Sequence, residues 1–249
     1  MAVVEQWGVP LVVLGMTLAT LFMAGVASRY QTHQAVVRAS VRRIEGYVGA
    51  ISGSLEAVRS VPLSRELRVM LRGNVLVGYQ EIRRLYRRYP EIGEKLLAAE
   101  RALQSEGVAP AGGVGAIDTE RGFRQIIGAL DLLSGMVRQG ELCQPLAREL
   151  RLVFCTELGE RRAEVMARFH LVQARRQENA GNLSKARTHL MTLAQVLRRR
   201  GPGTDFVREL YSETEAALSA LTDRQIGLIA SPAAGDRTPV DALPQGHPG

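Results

Sequence analysis

The chain has 249 residues and a formal net charge of +7, with lysine only at Lys95 and Lys185 and the rest of the positive charge on arginine. That length holds one or two globular domains with a sizeable core, and the two cysteines, Cys143 and Cys155, are too few for a disulfide framework and lack metal-ligand companions. Leu, Ala, Arg and Glu dominate while aromatics stand at 5%, which favours helix over strand, and the basic excess points to acidic partners: anionic lipid, nucleic acid or an acidic protein surface.

Residues 6–28 carry no charge and are mostly Val, Leu, Met, Ala and Gly, between Trp7 and Tyr30. A run of that length predicts a transmembrane helix with aromatic residues at its ends. Only Glu5 among charged residues precedes it, whereas Arg29, Arg38, Arg42 and Arg43 follow. The positive-inside rule then predicts a single-pass protein of a bacterial-type inner membrane. Residues 1–5 would be a short external N-terminus and the rest would lie in the cytoplasm. A cleaved signal peptide is the competing reading, but its n-region would be acidic instead of basic.

Residues 29–61 read as a stalk helix. Val37, Val41, Ile44, Val48, Ile51, Leu55 and Val58 alternate spacings of four and three, a heptad stripe that buries itself against another helix. The e and g positions carry few complementary charges, and Gly46, Gly49 and Gly53 lower helicity. Packing within the chain and homo-oligomerisation through the stalk therefore both remain open.

Residues 62–104 read as a basic helical hairpin: one helix from Pro62 to about Tyr89, a break at Pro90, then a short helix to about Gln104. Gly, Ala and Pro make residues 105–117 a flexible linker. Residues 118–228 read as a helical domain. One helix is capped at Asp118-Thr119 and ends near Gly140; the next opens at Pro145 and runs to about Ala180. Gly181-Asn182 turns into a helix ending at Arg200, and the last runs from Thr204 or Asp205 to about Ile226. The tail, 229–249, is too poor in apolar residues to fold.

Pro62-Leu63-Ser64-Arg65-Glu66-Leu67-Arg68 recurs as Pro145-Leu146-Ala147-Arg148-Glu149-Leu150-Arg151, with Leu71, Val75, Ile82 and Tyr86 mapping at the same offset to Phe154, Leu158, Val165 and Phe169. Two origins fit this match: a common way to start a helix, or a duplicated helical hairpin. Separately, Gly181-Asn182-Leu183-Ser184-Lys185-Ala186, with Ala174 upstream, resembles the inter-helix turn of a tetratricopeptide repeat. The likeness covers residues 167–200 and implies a close-packed helical hairpin of a protein-binding family. His170, Gln177 and Leu193 depart from that pattern, and no tandem copies follow.

No catalytic constellation appears. His33, His170, His189 and His247 lack ligand spacing, Gly112-Gly113-Val114-Gly115 lacks the Lys and Ser/Thr of a P-loop, and Glu157, Glu160 and Glu164 interleave with Arg161 and Arg162 as a solvated, ion-paired face. No metal or cofactor is implied. The most distinctive surface is Arg65, Arg68, Arg72, Arg83, Arg84, Arg87 and Arg88, with Tyr79, Tyr86 and Tyr89 nearby, a candidate contact for an anionic partner.

The sequence thus predicts an all-α protein: a transmembrane helix, a heptad stalk, and a cytoplasmic helical bundle or short hairpin array. The functional expectation is a non-catalytic, membrane-anchored adaptor or assembly scaffold that binds the bilayer through residues 6–28 and binds protein partners through its helices. The alternative is a membrane-tethered binder of nucleic acid or anionic lipid through the Arg-rich helix.

Overall fold

A computed structural model describes residues 2–107, 117 and 119–230, with the side chains of 2–14, 200 and 227–230 excepted. Among the described residues there are seven α-helices and no strands: α1 Ala2–Ala57, α2 Arg65–Leu85, α3 Ile92–Gln104, α4 Glu120–Gln139, α5 Arg148–Asn179, α6 Leu183–Arg200 and α7 Asp205–Ala230, with a 3-10 turn at Ser105–Gly107. The all-α expectation holds. Most of the predicted linker, Asp118 of the predicted cap and the tail from Ser231 lie outside the described residues.

The membrane expectation is corrected. Among the described residues, no helix is long and apolar enough to cross a membrane. Single-pass topology and inner-membrane localisation fall with the span. So does the inference that the helical domain is cytoplasmic, because a flank of arginines orients a helix only where that helix crosses. Span and stalk are instead stretches of one helix, α1.

The chain divides into two compact units, Met1–Gly115 with Gly128–Leu158, and Ala116–Ile127 with Gly159–Gly249. One boundary, between Gly115 and Ala116, falls in the predicted linker; the other two fall inside α4 and inside α5.

In the first unit the heptad stripe of α1 is buried by its own chain. Val41, Val48, Ile51 and Val58 are in the core, and Val37, Ile44 and Leu55 are half-buried. Val41 packs with Ile82 of α2 and with Ile92 and Leu96 of α3. Gly78 lets α2 come close to α1: a Cβ there would collide with Val48 Cγ2. Helix α2 opens three residues later than Pro62 predicts, because Ser64 is its N-cap and accepts from the Leu67 amide at 3.2 Å. It closes at Leu85, not Tyr89, and Tyr86 caps it by donating its amide to the Ile82 carbonyl.

The second unit holds a three-helix arrangement. Gly181, at φ +76°, supplies the left-handed residue that turns α5 into α6. Ala174, Ala186, Leu190 and Leu221 then pack α5, α6 and α7 together, and Ala163, Ala167, Leu193 and Val207 form a second cluster. The small side chains of Ala174 and Ala186 permit that close approach.

The recurring segments open equivalent helices. Arg65 begins α2 and Arg148 begins α5, at the offset of the sequence match. In each, the next arginine reaches back to the same carbonyl: Arg68 Nη1 donates to Leu63 O at 2.5 Å, and Arg151 Nη2 to Leu146 O at 3.3 Å. The preceding helices match too, at an offset one residue smaller. Val41, Ile44, Val48, Ile51 and Leu55 of α1 correspond to Phe123, Ile126, Leu130, Leu133 and Val137 of α4.

The two openings also bind each other. Ser64 donates its amide and, at 2.7 Å, its hydroxyl to the carboxylate of Glu157 on α5. Asn74, the residue of α2 that corresponds to Glu157, accepts at Oδ1 from the Gln144 amide ahead of α5, at 3.0 Å. Each long helix thus holds the backbone leading into the other. Asn74 is 1% exposed, so its amide would be costly without that partner.

Candidate functional site: an arginine cleft

The sequence predicts a single stripe of seven arginines, and the structure sorts them into three settings. Arg65, Arg83, Arg87 and Arg88 are exposed, but Arg65 sits at the start of α2 while Arg87 and Arg88 lie in the turn after its end. Arg84 is held by Glu81, with Nη2 to Oε1 at 2.6 Å, and that contact raises its pKa through the hydrogen bond and the charge of Glu81. Arg68 and Arg72 face inward. Of the tyrosines, Tyr89 donates its hydroxyl to Glu45 of α1, which pushes its pKa up to about 12, and Lys95 stands 5.0 Å from its ring centroid.

Arg68 and Arg72 meet Glu106, from the 3-10 turn after α3. Arg68 Nε donates to Glu106 Oε2 at 2.6 Å, and Arg72 Nε lies against Oε1. Arg72 Nη1 donates to Ala102 O at 2.8 Å, tying α2 to α3. Glu106 is buried, as is Arg68, which retains 9% of its exposure. The sequence does not mark Glu106 as a partner, because it lies in the stretch predicted to be linker. Two guanidinium groups against one carboxylate leave an excess of one positive charge. Arg68 Nη2 is buried with no hydrogen-bond partner among the described residues.

The trio lines a cleft bounded by α1, α2 and α3, with a volume of about 580 Å³. Val58, Val61, Leu63, Val75 and Ala99 give it apolar walls. Arg59 also borders it and pairs with Glu56 at 3.6 Å.

Two further groupings were not legible from spacing. His170 and His189 come together across the α5–α6 turn, Nδ1 to Nδ1 at 3.3 Å, with Phe123 and Phe169 edge-on to His170. Burial, then the charge of His189, lowers the His170 pKa to about 4. Among the described residues, no group of three or more His, Cys, Asp or Glu is placed to hold a metal ion. Glu164, expected on a solvated face, is buried and takes Arg161 at 2.8 Å and Arg168 at 2.7 Å. Cys143 and Cys155 are both free thiols.

Not all apolar surface is covered. Leu150, Leu152 and Val153, at the opening of α5, are exposed, as are Leu18, Leu21, Phe22 and Val26 of α1. Among the described residues, the fold defines an all-α protein of packed helical hairpins with an arginine-lined cleft. No protein-family model, curated protein or solved structure matches the chain.

Proposed function

We propose that the protein is a non-catalytic helical adaptor or assembly scaffold that receives a partner protein on the opening of α5. One observation carries the reading. Leu67 is 0% exposed, whereas its counterpart Leu150 is 48% exposed and is joined by Leu152 at 61% and Val153 at 59%. The same helix start is covered in one hairpin and bare in the other, and a clustered apolar surface on a folded frame marks an interaction site. An amphipathic helix fits it, its apolar side laid on Leu150, Leu152 and Val153. The likeness of residues 167–200 to a protein-binding repeat agrees with this reading. Self-association through the α1 stripe forms no part of it, because Val41, Val48, Ile51 and Val58 are buried within the chain.

A photo-crosslinking residue in place of Leu152 tests the proposal in cells. One discrete crosslinked protein is expected, and it should disappear when Leu150→Glu and Val153→Glu are added. No discrete product, or one that survives those substitutions, contradicts the adaptor reading.

A second reading, a nucleic-acid binder, draws on Arg83, Arg87 and Arg88, which stay exposed around the turn after α2. Salt-sensitive retention of DNA or RNA, lost on charge reversal at these three positions, would favour it.

A further inference from the structure

We propose that the cleft between α1, α2 and α3 binds a small monocarboxylate with an apolar body, its headgroup on Arg68. Three observations converge on this ligand class. The first is charge. Arg68 and Arg72 share Glu106 alone among the contacts described, so the trio, with Arg68 and Glu106 buried and Arg72 about a third exposed, holds one positive charge in excess. A partly desolvated excess charge favours an anion beside it.

The second is an unpartnered donor. Arg68 uses Nε on Glu106 and Nη1 on the Leu63 carbonyl, leaving Nη2 buried without a partner among the described residues. A guanidinium suits a planar carboxylate, and a hydrogen bond between ionised groups is stronger than a neutral one.

The third is shape. About 580 Å³ lies within the usual span of small-molecule pockets, roughly 300–1,000 Å³. Beyond the arginines the walls are Val58, Val61, Val75 and Ala99, which favour an apolar body. At the rim, Arg59 pairs with Glu56 and Lys95 stands over the Tyr89 ring, so both cations add to the positive character of the cleft. This site is separate from the α5 surface proposed for a partner protein.

Isothermal titration of the full chain with decanoate, decanol and inorganic phosphate tests the proposal. Decanoate should bind saturably at one site, decanol about tenfold more weakly, and phosphate without saturation. Arg68→Gln should weaken decanoate about tenfold. Because Arg68 is buried and its loss could unfold the unit, Ala98→Trp serves as an independent variant. Ala98 lines the cleft but is itself exposed, so the indole should obstruct entry while leaving the fold intact. Arg65→Gln, on the same helix and outside the cleft, should bind as the parent chain does. The proposal is overturned if decanoate fails to saturate, if decanol or phosphate binds as tightly, or if decanoate binding survives either Arg68→Gln in a folded chain or Ala98→Trp.

Discussion

The openings of α2 and α5 share a sequence, a starting position and a back-bonded arginine, yet they lie in different surroundings. At α2, Leu67 is buried and Arg68 meets Glu106 from the turn after α3. At α5, Leu150 is open, and Arg151 lies beside the backbone of Gly140, which closes α4 with φ +70°. The difference teaches that a helix start does not set its own burial. The local hydrogen bonds repeat because the local sequence repeats. The cover does not repeat, because it comes from elsewhere in the chain.

Removing the cover's charge should break the comparison most severely. Glu106→Gln leaves Arg68 and Arg72 without a counter-charge and should destabilise the first unit by about 3–5 kcal/mol. Arg151 has no counterpart of Glu106 in its described contacts, so no change in α4 should match this loss. Chemical denaturation with a probe in the first unit measures it; a loss below about 1 kcal/mol would mean that the trio is solvated.

The cross-bonds between the openings come next. Asn74→Ala frees the Gln144 amide, and Glu157→Ala frees the amide and hydroxyl of Ser64; each should cost about 1–3 kcal/mol. If the two bonds hold one interlocked unit, the double variant should depart from additivity. Strict additivity would mean that the two openings are held independently.

Some of this was legible in sequence. The helices from Glu120, Leu183 and Asp205 follow their caps and turn glycines closely, because local hydrogen bonding decides those ends. The stripe from Val37 to Val58 gives the buried face of α1, since period alone fixes which side is apolar. It does not say what covers that face. The cleft was legible only in part. Arg68 and Arg72 belong to a visible stripe, but Glu106 lies in a stretch whose composition suggests linker, and an ion pair between distant segments leaves no periodic trace. His170 and His189 escaped for the same reason: they come together across a turn, nineteen positions apart. The predicted span was read from composition alone, and among the described residues the helix does not carry it.

A smaller effect separates the second unit from the first. His170 titrates near 4 when folded and near 6.5 when unfolded, so the unfolded chain binds more protons between those values. Stability should therefore be complete above about pH 6.5 and decline as pH falls toward 4. His189 and the rings of Phe123 and Phe169 face His170, and they should lose their NMR tertiary shifts over that window before the first unit does. His170→Phe should flatten the decline. An unchanged slope in that variant would assign the pH response to other groups.

The most direct test of the central claim, that equivalent helix starts differ because one is covered and the other is not, compares Leu67→Ala with Leu150→Ala by equilibrium unfolding of the full chain. Leu67→Ala should cost about 2–5 kcal/mol, since it opens a cavity in the core. Leu150→Ala should cost less than about 1 kcal/mol, because half of that side chain is already in water. Equal losses at the two positions would contradict the account.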